Sequence, residues 1–239
     1  MAKAYSGLGS SGSASERDYD AGGSGLLGSR THNNIDDWNE FFGVKYTNDN
    51  YSYGQIDMEK TKGMFKDWYD AATPAERKAA ATYTGYQYTE INKYLRGQDL
   101  QNAPDWVKDT VKNIDSGMKK FNLKEAITVF RGGSNKLIGG AQTVADINGM
   151  KGAIVIDRGI TSTAVTKDAS WIGSEKMGYE IVYPKGRGRG IFIDPTSTHQ
   201  GEQEFMAARN THYEVLGGYV DDEGHVICRL KAVYGKKYK

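Results

Sequence analysis

Aromatic and aliphatic positions recur at helical spacing through the first half of the chain. Asp36-Asp37-Trp38-Asn39-Glu40-Phe41-Phe42 reads as an amphipathic helix, and Met64-Phe65 with Trp68-Tyr69 repeats the same period. Thr73-Pro74-Ala75-Glu76 places Thr at an N-cap, Pro at the first helical position and Glu at the third. The helix it opens covers 75–82 and ends at Tyr83-Thr84-Gly85. A further helix covers 89–95 and stops at Gly97, and Pro104-Asp105-Trp106 opens one that runs to about Met118. After Leu123 the pattern changes to short β-type runs separated by glycines: 127–130, 153–156, 179–183, 190–194, 205–209, 213–219 and 226–234. Asp222-Glu223-Gly224 marks a hairpin turn. Helices first and strands later predict an α+β fold.

Composition narrows the picture. Residues 1–30 are rich in Gly and Ser and read as a flexible arm, leaving 31–239 as one domain with a helical part (31–122) and a strand-rich part (123–239). A net charge of +1 gives no case for a nucleic-acid or membrane partner. No run approaches the ~18–20 apolar residues of a membrane span. The first residues lack the apolar core of an ordinary secretory signal. The single cysteine, Cys228, sits in an apolar run and reads as core packing. The four histidines are scattered, so no metal site is expected.

Three segments carry candidate chemistry. Glu202 and Glu204 stand two apart, so in an extended segment both carboxylates project from one face and repel. Arg131 ends the apolar run Ala126–Phe130. Ser162-Thr163 ends another that continues through Gly159-Ile160-Thr161. No histidine stands in a context that would make Ser162 a nucleophile. Lys185-Gly186-Arg187-Gly188-Arg189-Gly190 matches neither phosphate-binding glycine pattern and reads as a basic hairpin turn between two strands.

The ordered set Arg131, Ser162-Thr163-Ala164 and Glu202-Gln203-Glu204 resembles the R-S-E class of mono-ADP-ribosyltransferases. That class includes the enzymatic components of actin-modifying binary toxins, Rho-modifying exoenzymes and phage-encoded transferases. The resemblance covers roughly residues 60–235. It includes a helical signature, Tyr83-Thr84-Gly85, Tyr88-Thr89-Glu90-Ile91-Asn92 and Tyr94-Leu95-Arg96-Gly97, similar to the family's NAD-contacting helix. The implied fold is two packed, mainly antiparallel sheets with an N-terminal helical lobe across an NAD cleft.

The resemblance implies a role for each matching residue. Glu204 would stabilise the oxocarbenium-like ribose as nicotinamide leaves. Glu202 would orient an acceptor guanidinium and take its proton, which favours arginine over asparagine as acceptor. Arg131 would hold the NAD phosphates and Gly132 would present its backbone to the nicotinamide amide. Ser162 would hydrogen-bond the catalytic Glu, with Thr163 beside it. Tyr88 and Asn92 would reach the phosphates and adenosine, and Trp171, in the loop 165–177, would stack on nicotinamide. The sequence departs from the family's pattern at Ala164, the third motif position, and at His199, where actin-modifying members carry an aromatic residue.

The function implied is transfer of ADP-ribose from NAD to an arginine of a protein substrate, with NAD as substrate and no metal. Two alternatives stand beside it: an NAD glycohydrolase with water as acceptor, and an inactive binding module of the same fold. A monomer is expected, secreted or injected by a non-classical route or delivered by phage, and acting in the cytoplasm of a target cell.

Overall fold

The computed structural model describes residues 24–28, 58–98, 102–170, 172, 175, 177–193, 196–198 and 202–235. The helix expected around Trp38 lies outside the described residues, as do Trp171 and His199.

Among the described residues, four helices follow one another before the main run of strands: α1 (Met58–Ala71), α2 (Pro74–Thr84), α3 (Tyr88–Leu95) and α4 (Asp105–Lys120). Thr73 caps α2 as its sequence requires. Its hydroxyl accepts from Glu76 N, and the Glu76 carboxylate accepts from Thr73 N at 2.7 Å. That carboxylate also takes the Ser116 hydroxyl at 2.6 Å and the Lys120 ammonium at 2.7 Å, so one cap residue fastens α2 to α4. Burial alone would raise the Glu76 pKa; the bonds from Lys120, Ser116 and Thr73 instead hold it down at about 2. In α4, Val107, Val111, Ile114 and Met118 repeat at helical spacing and are buried. Trp68 of α1 lies against this helix, where its indole N–H donates to Gly117 O at 3.1 Å.

The strands are β1 (Ser24–Gly28), β2 (Asn122–Leu123), β3 (Ile127–Gly133), β4 (Ile154–Asp157), β5 (Thr161–Ala164), β6 (Met177–Tyr183), β7 (Gly186–Arg187), β8 (Gly190–Phe192), β9 (Glu204–Ala207), β10 (Thr211–Val220) and β11 (Val226–Val233). A short 3₁₀ turn (Asn135–Ile138) and helix α5 (Val144–Gly149) separate β3 from β4. Among the described residues nine strands join in the order β1-β4-β10-β11-β6-β3-β5-β9-β8, and β2 pairs with β7 apart from them. Neighbours run antiparallel except β11 and β6.

The ladder narrows between β3 and β5 to the single pair Phe130↔Ala164. The two expected layers are the two halves on either side of this join. They pack on each other through the Tyr183 and Phe205 rings, 5.3 Å between centroids, and Tyr183 also meets the Tyr213 hydroxyl at 2.7 Å. The result is an α+β fold in which α1–α4 precede β2–β11, with β1 ahead of them and α5 inserted between β3 and β4.

Three sequence expectations change. Strand β1 falls inside the stretch read as a flexible arm, yet its backbone pairs with β4 from Ser24↔Asp157 onward, as an edge strand. The basic segment 185–190 is not a hairpin turn. It joins β6 to β8, which lie in different halves, and spends Gly186-Arg187 pairing with β2. Arg189 then stacks on the Tyr234 ring, 3.5 Å from its centroid. Finally, the Glu202–Glu204 segment is not extended: Gln203 has φ 50, so the alternation that would put both carboxylates on one face does not apply.

Candidate active site

Strand alternation places Arg131 on the same face of β3 as Ile127 and Val129, which belong to the main core. Phe130 points the other way, into a small cluster with Ile172 and Ile227. Arg131 is therefore delivered to the inside of the fold, at the join between the two halves. One guanidinium nitrogen donates to Ser162 O at 2.7 Å. Ser162, on β5, donates its hydroxyl to Glu204 Oε1 at 2.6 Å. Glu204 begins β9 opposite Ala164 and is fully buried. Thr163 faces the other side and donates to Phe205 O at 2.6 Å, which locks β5 to β9. Arg131, Ser162 and Glu204 thus stand in one run of two short hydrogen bonds across three strands.

Glu202 is also buried and lies one turn residue ahead of β9. The turn is held from the loop after β5: Val165 N donates to Gln203 O at 3.0 Å, and the Thr166 hydroxyl donates to Gln203 Oε1 at 2.5 Å. The segment leading to this turn is tied to the helices as well. Thr198 N donates to Thr84 Oγ1 at 3.0 Å and the Thr198 hydroxyl donates to Thr84 O at 2.9 Å.

Two residues expected to contact a ligand also bond within the protein. Gly132 N donates to Ser170 O at 2.7 Å, so this backbone N–H is covered by the loop that follows β5. The Asn92 side chain is a clamp: its amide donates to Ile160 O at 3.2 Å and to the Tyr83 hydroxyl at 3.1 Å, and its carbonyl accepts Ile160 N at 2.9 Å. Tyr83 adds a bond to the same Ile160 O at 2.8 Å. Tyr88 is buried with its ring edge-on to Tyr83, 6.2 Å between centroids. The helical signature therefore seats α3 against the entry to β5. Trp171 lies outside the described residues.

Sequence reasoning missed the polar group beneath that clamp. Arg96 and Asp157 are buried and paired, with Arg96 Nε 3.2 Å and Nη2 3.1 Å from Asp157 Oδ1. Asp157 also accepts Gly159 N at 2.9 Å and the Thr161 hydroxyl at 3.0 Å. Gly159 is required there, because a Cβ would stand 2.5 Å from the Arg96 guanidinium carbon. The only hint in sequence was an arginine directly after an amphipathic helix.

Another buried acid lies outside the run. Glu180, on β6 opposite Phe130, accepts the Tyr219 hydroxyl at 2.9 Å. Burial raises its pKa to about 7, against the pull of Tyr219 and Lys167. Lys167 anchors the loop after β5 to Asp221 at 3.0 Å. Asp221, Glu223 and His225 bring three possible ligand atoms within 4.8 Å, a grouping the scattered histidines did not foretell. Among the described residues no helix is long and apolar enough to cross a membrane.

Comparison with known proteins places the fold in a family. A family model described as ADP-ribosyltransferase exoenzyme matches residues 59–233. The NAD(+)–arginine ADP-ribosyltransferase EFV of Enterococcus faecalis is 25% identical over 171 residues, 68% of this chain and 32% of that protein. The chain thus spans about a third of this relative's length. Plx2a, an ADP-ribosyltransferase toxin from Paenibacillus larvae, superposes with a TM-score of 0.64 at 20% identity, covering 74% of this chain and 94% of that one. C3stau2 from S. aureus, solved with NAD, superposes with a TM-score of 0.64 at 18% identity, covering 75% and 97%. With a family model spanning helices and strands alike, and the same fold in these toxins, the chain belongs to the ADP-ribosyltransferase exoenzyme family.

Proposed function

We propose that this protein transfers ADP-ribose from NAD to an arginine side chain of another protein and releases nicotinamide. The observation that carries the reading is the run Arg131–Ser162–Glu204, with a hydroxyl 2.6 Å from a buried carboxylate and a cation bonded to the same serine. This donor set fits a dinucleotide: a fork-shaped cation suits a pyrophosphate, and a fixed carboxylate suits a ribose hydroxyl.

NAD supplies a glycosidic bond whose leaving group departs with the bonding pair as neutral nicotinamide. Glu204 holds negative charge beside the ribose carbon as positive charge builds there, and its burial strengthens the effect. Ser162 holds the Glu204 carboxylate in one orientation, so little reorganisation is needed at the moment of reaction. Glu202 orients the acceptor guanidinium and takes its proton as the new carbon–nitrogen bond forms. A glutamate at this position is what favours arginine, and the curated relative bears an arginine-specific name. The toxin relatives support a role as a delivered effector acting on a host protein.

The test supplies labelled NAD with agmatine as an arginine analogue, then measures nicotinamide release and label transfer separately. Equal amounts of nicotinamide and labelled agmatine are expected. Nicotinamide without labelled agmatine would replace the transferase reading with a glycohydrolase.

A further inference from the structure

The two carboxylates assigned to the reaction are separated by one residue with an unusual backbone. Gln203 has φ 50, the left-handed region that an L-residue other than Gly enters at a cost. Asn210, the other described non-Gly residue with positive φ, is a type that tolerates this conformation. Glutamine has no such local compensation, so its surroundings must hold it. They do so twice, through Val165 N to its carbonyl at 3.0 Å and through the Thr166 hydroxyl to its side-chain Oε1 at 2.5 Å.

The geometric consequence is specific. Glu204 is fixed independently, by the β5–β9 ladder and by Ser162. With Glu204 fixed, the torsions of Gln203 decide where the preceding residue, Glu202, is aimed. Thr166 belongs to the loop that also covers Gly132 N and is anchored by Lys167 to Asp221. We propose that Thr166 and Gln203 form a latch that positions Glu202 for the acceptor, and so set the balance between transfer to arginine and loss of ADP-ribose to water. Thr166 and Gln203 act here as positioning residues. They touch neither the ribose nor the leaving group in this scheme; they fix the angle between the two carboxylates. The inference rests on the transferase reading for its consequence in activity. The latch itself is a statement about the fold.

The test uses the full chain and Thr166→Val, which keeps shape and removes the donor, with Thr166→Ser as the variant that restores it. Two readouts are needed. Amide hydrogen exchange at 202–204 reports the latch without any activity. Exchange should rise about tenfold in Thr166→Val and return towards wild type in Thr166→Ser. The ratio of labelled agmatine to nicotinamide released reports the consequence. It should fall about tenfold in Thr166→Val through the turnover number for agmatine, with the KM for NAD unchanged, and recover in Thr166→Ser. Unchanged exchange in Thr166→Val overturns the latch. Raised exchange with an unchanged ratio overturns its role in aiming Glu202. A wild-type protein that labels no agmatine while exchange responds as stated removes the transferase reading and, with it, that role, but leaves the latch in place.

Discussion

Arg96 and Asp157 form a fully buried ion pair at 3.1 Å that joins the end of α3 to the end of β4, four residues before the strand that carries Ser162. Asp157 serves Arg96, Gly159 and Thr161 together, so the pair shapes the backbone that enters the site. Removing one partner strands the other charge in a dry interior. Arg96→Met should lower unfolding free energy by about 3–5 kcal/mol in urea titrations, and Arg96→Met with Asp157→Asn should lower it less. Equal losses in the single and double variants would show that the charge pair is not what holds α3.

Asn92 makes a different prediction from the one its family position implies. Its amide satisfies both backbone groups of Ile160. Asn92→Ala should therefore destabilise by about 1–3 kcal/mol, the scale of leaving a buried polar group unpaired. Any rise in KM for NAD should scale with that loss and be matched by Tyr83→Phe, which removes a neighbouring bond to Ile160 O. A raised KM at unchanged stability would instead make Asn92 a ligand contact.

The carboxylates separate in function. Glu204→Gln should cost ~10²–10³ in both nicotinamide release and transfer, because the developing positive charge loses its partner. Glu202→Gln keeps shape but cannot take the guanidinium proton. Transfer to agmatine should collapse while nicotinamide release survives, measured in the same tubes. If Glu202→Gln stops both reactions alike, the acceptor role is misplaced.

Glu180 gives a pH dependence with a definite sign. Its folded pKa is about 7 and its ordinary value 4.5, so between these the folded state holds a proton that the unfolded state has lost. Stability from this group is complete below 4.5 and is lost as pH rises towards about 7. The change is on the order of 3 kcal/mol. Glu180→Gln should flatten the profile of denaturant midpoint against pH across this window. A slope as steep as wild type would assign the dependence to another group.

Much of the fold was readable because its signals are local. Thr73, Pro74 and Glu76 mark the start of α2 within four residues, and all three act at that start. The β-type run 226–234 and the turn at Asp222–Gly224 likewise need no distant partner to be read. What escaped depends on residues far apart in sequence. Nothing near Glu76 announces Ser116 and Lys120, and nothing near Arg96 announces Asp157. Helix α5 carries a readable cap, Thr143 with Asp146, but is too short to develop a hydrophobic period. The order of residues in the site was legible; its shape was not. The bend at Gln203 is imposed by Val165 and Thr166, which lie nearly forty residues upstream.

The one-pair join at Phe130 and Ala164 has a consequence for how the protein fails. Arg131 travels with the larger part of the ladder, while Ser162 and Glu204 travel with the smaller. The groups proposed for the reaction therefore straddle a seam, and the distance between cation and carboxylate gauges how the two parts sit. A slight parting there leaves each interior intact but pulls the charges out of register. Activity should vanish at lower urea than the change in tryptophan fluorescence, since the seam gives way before the masses it joins.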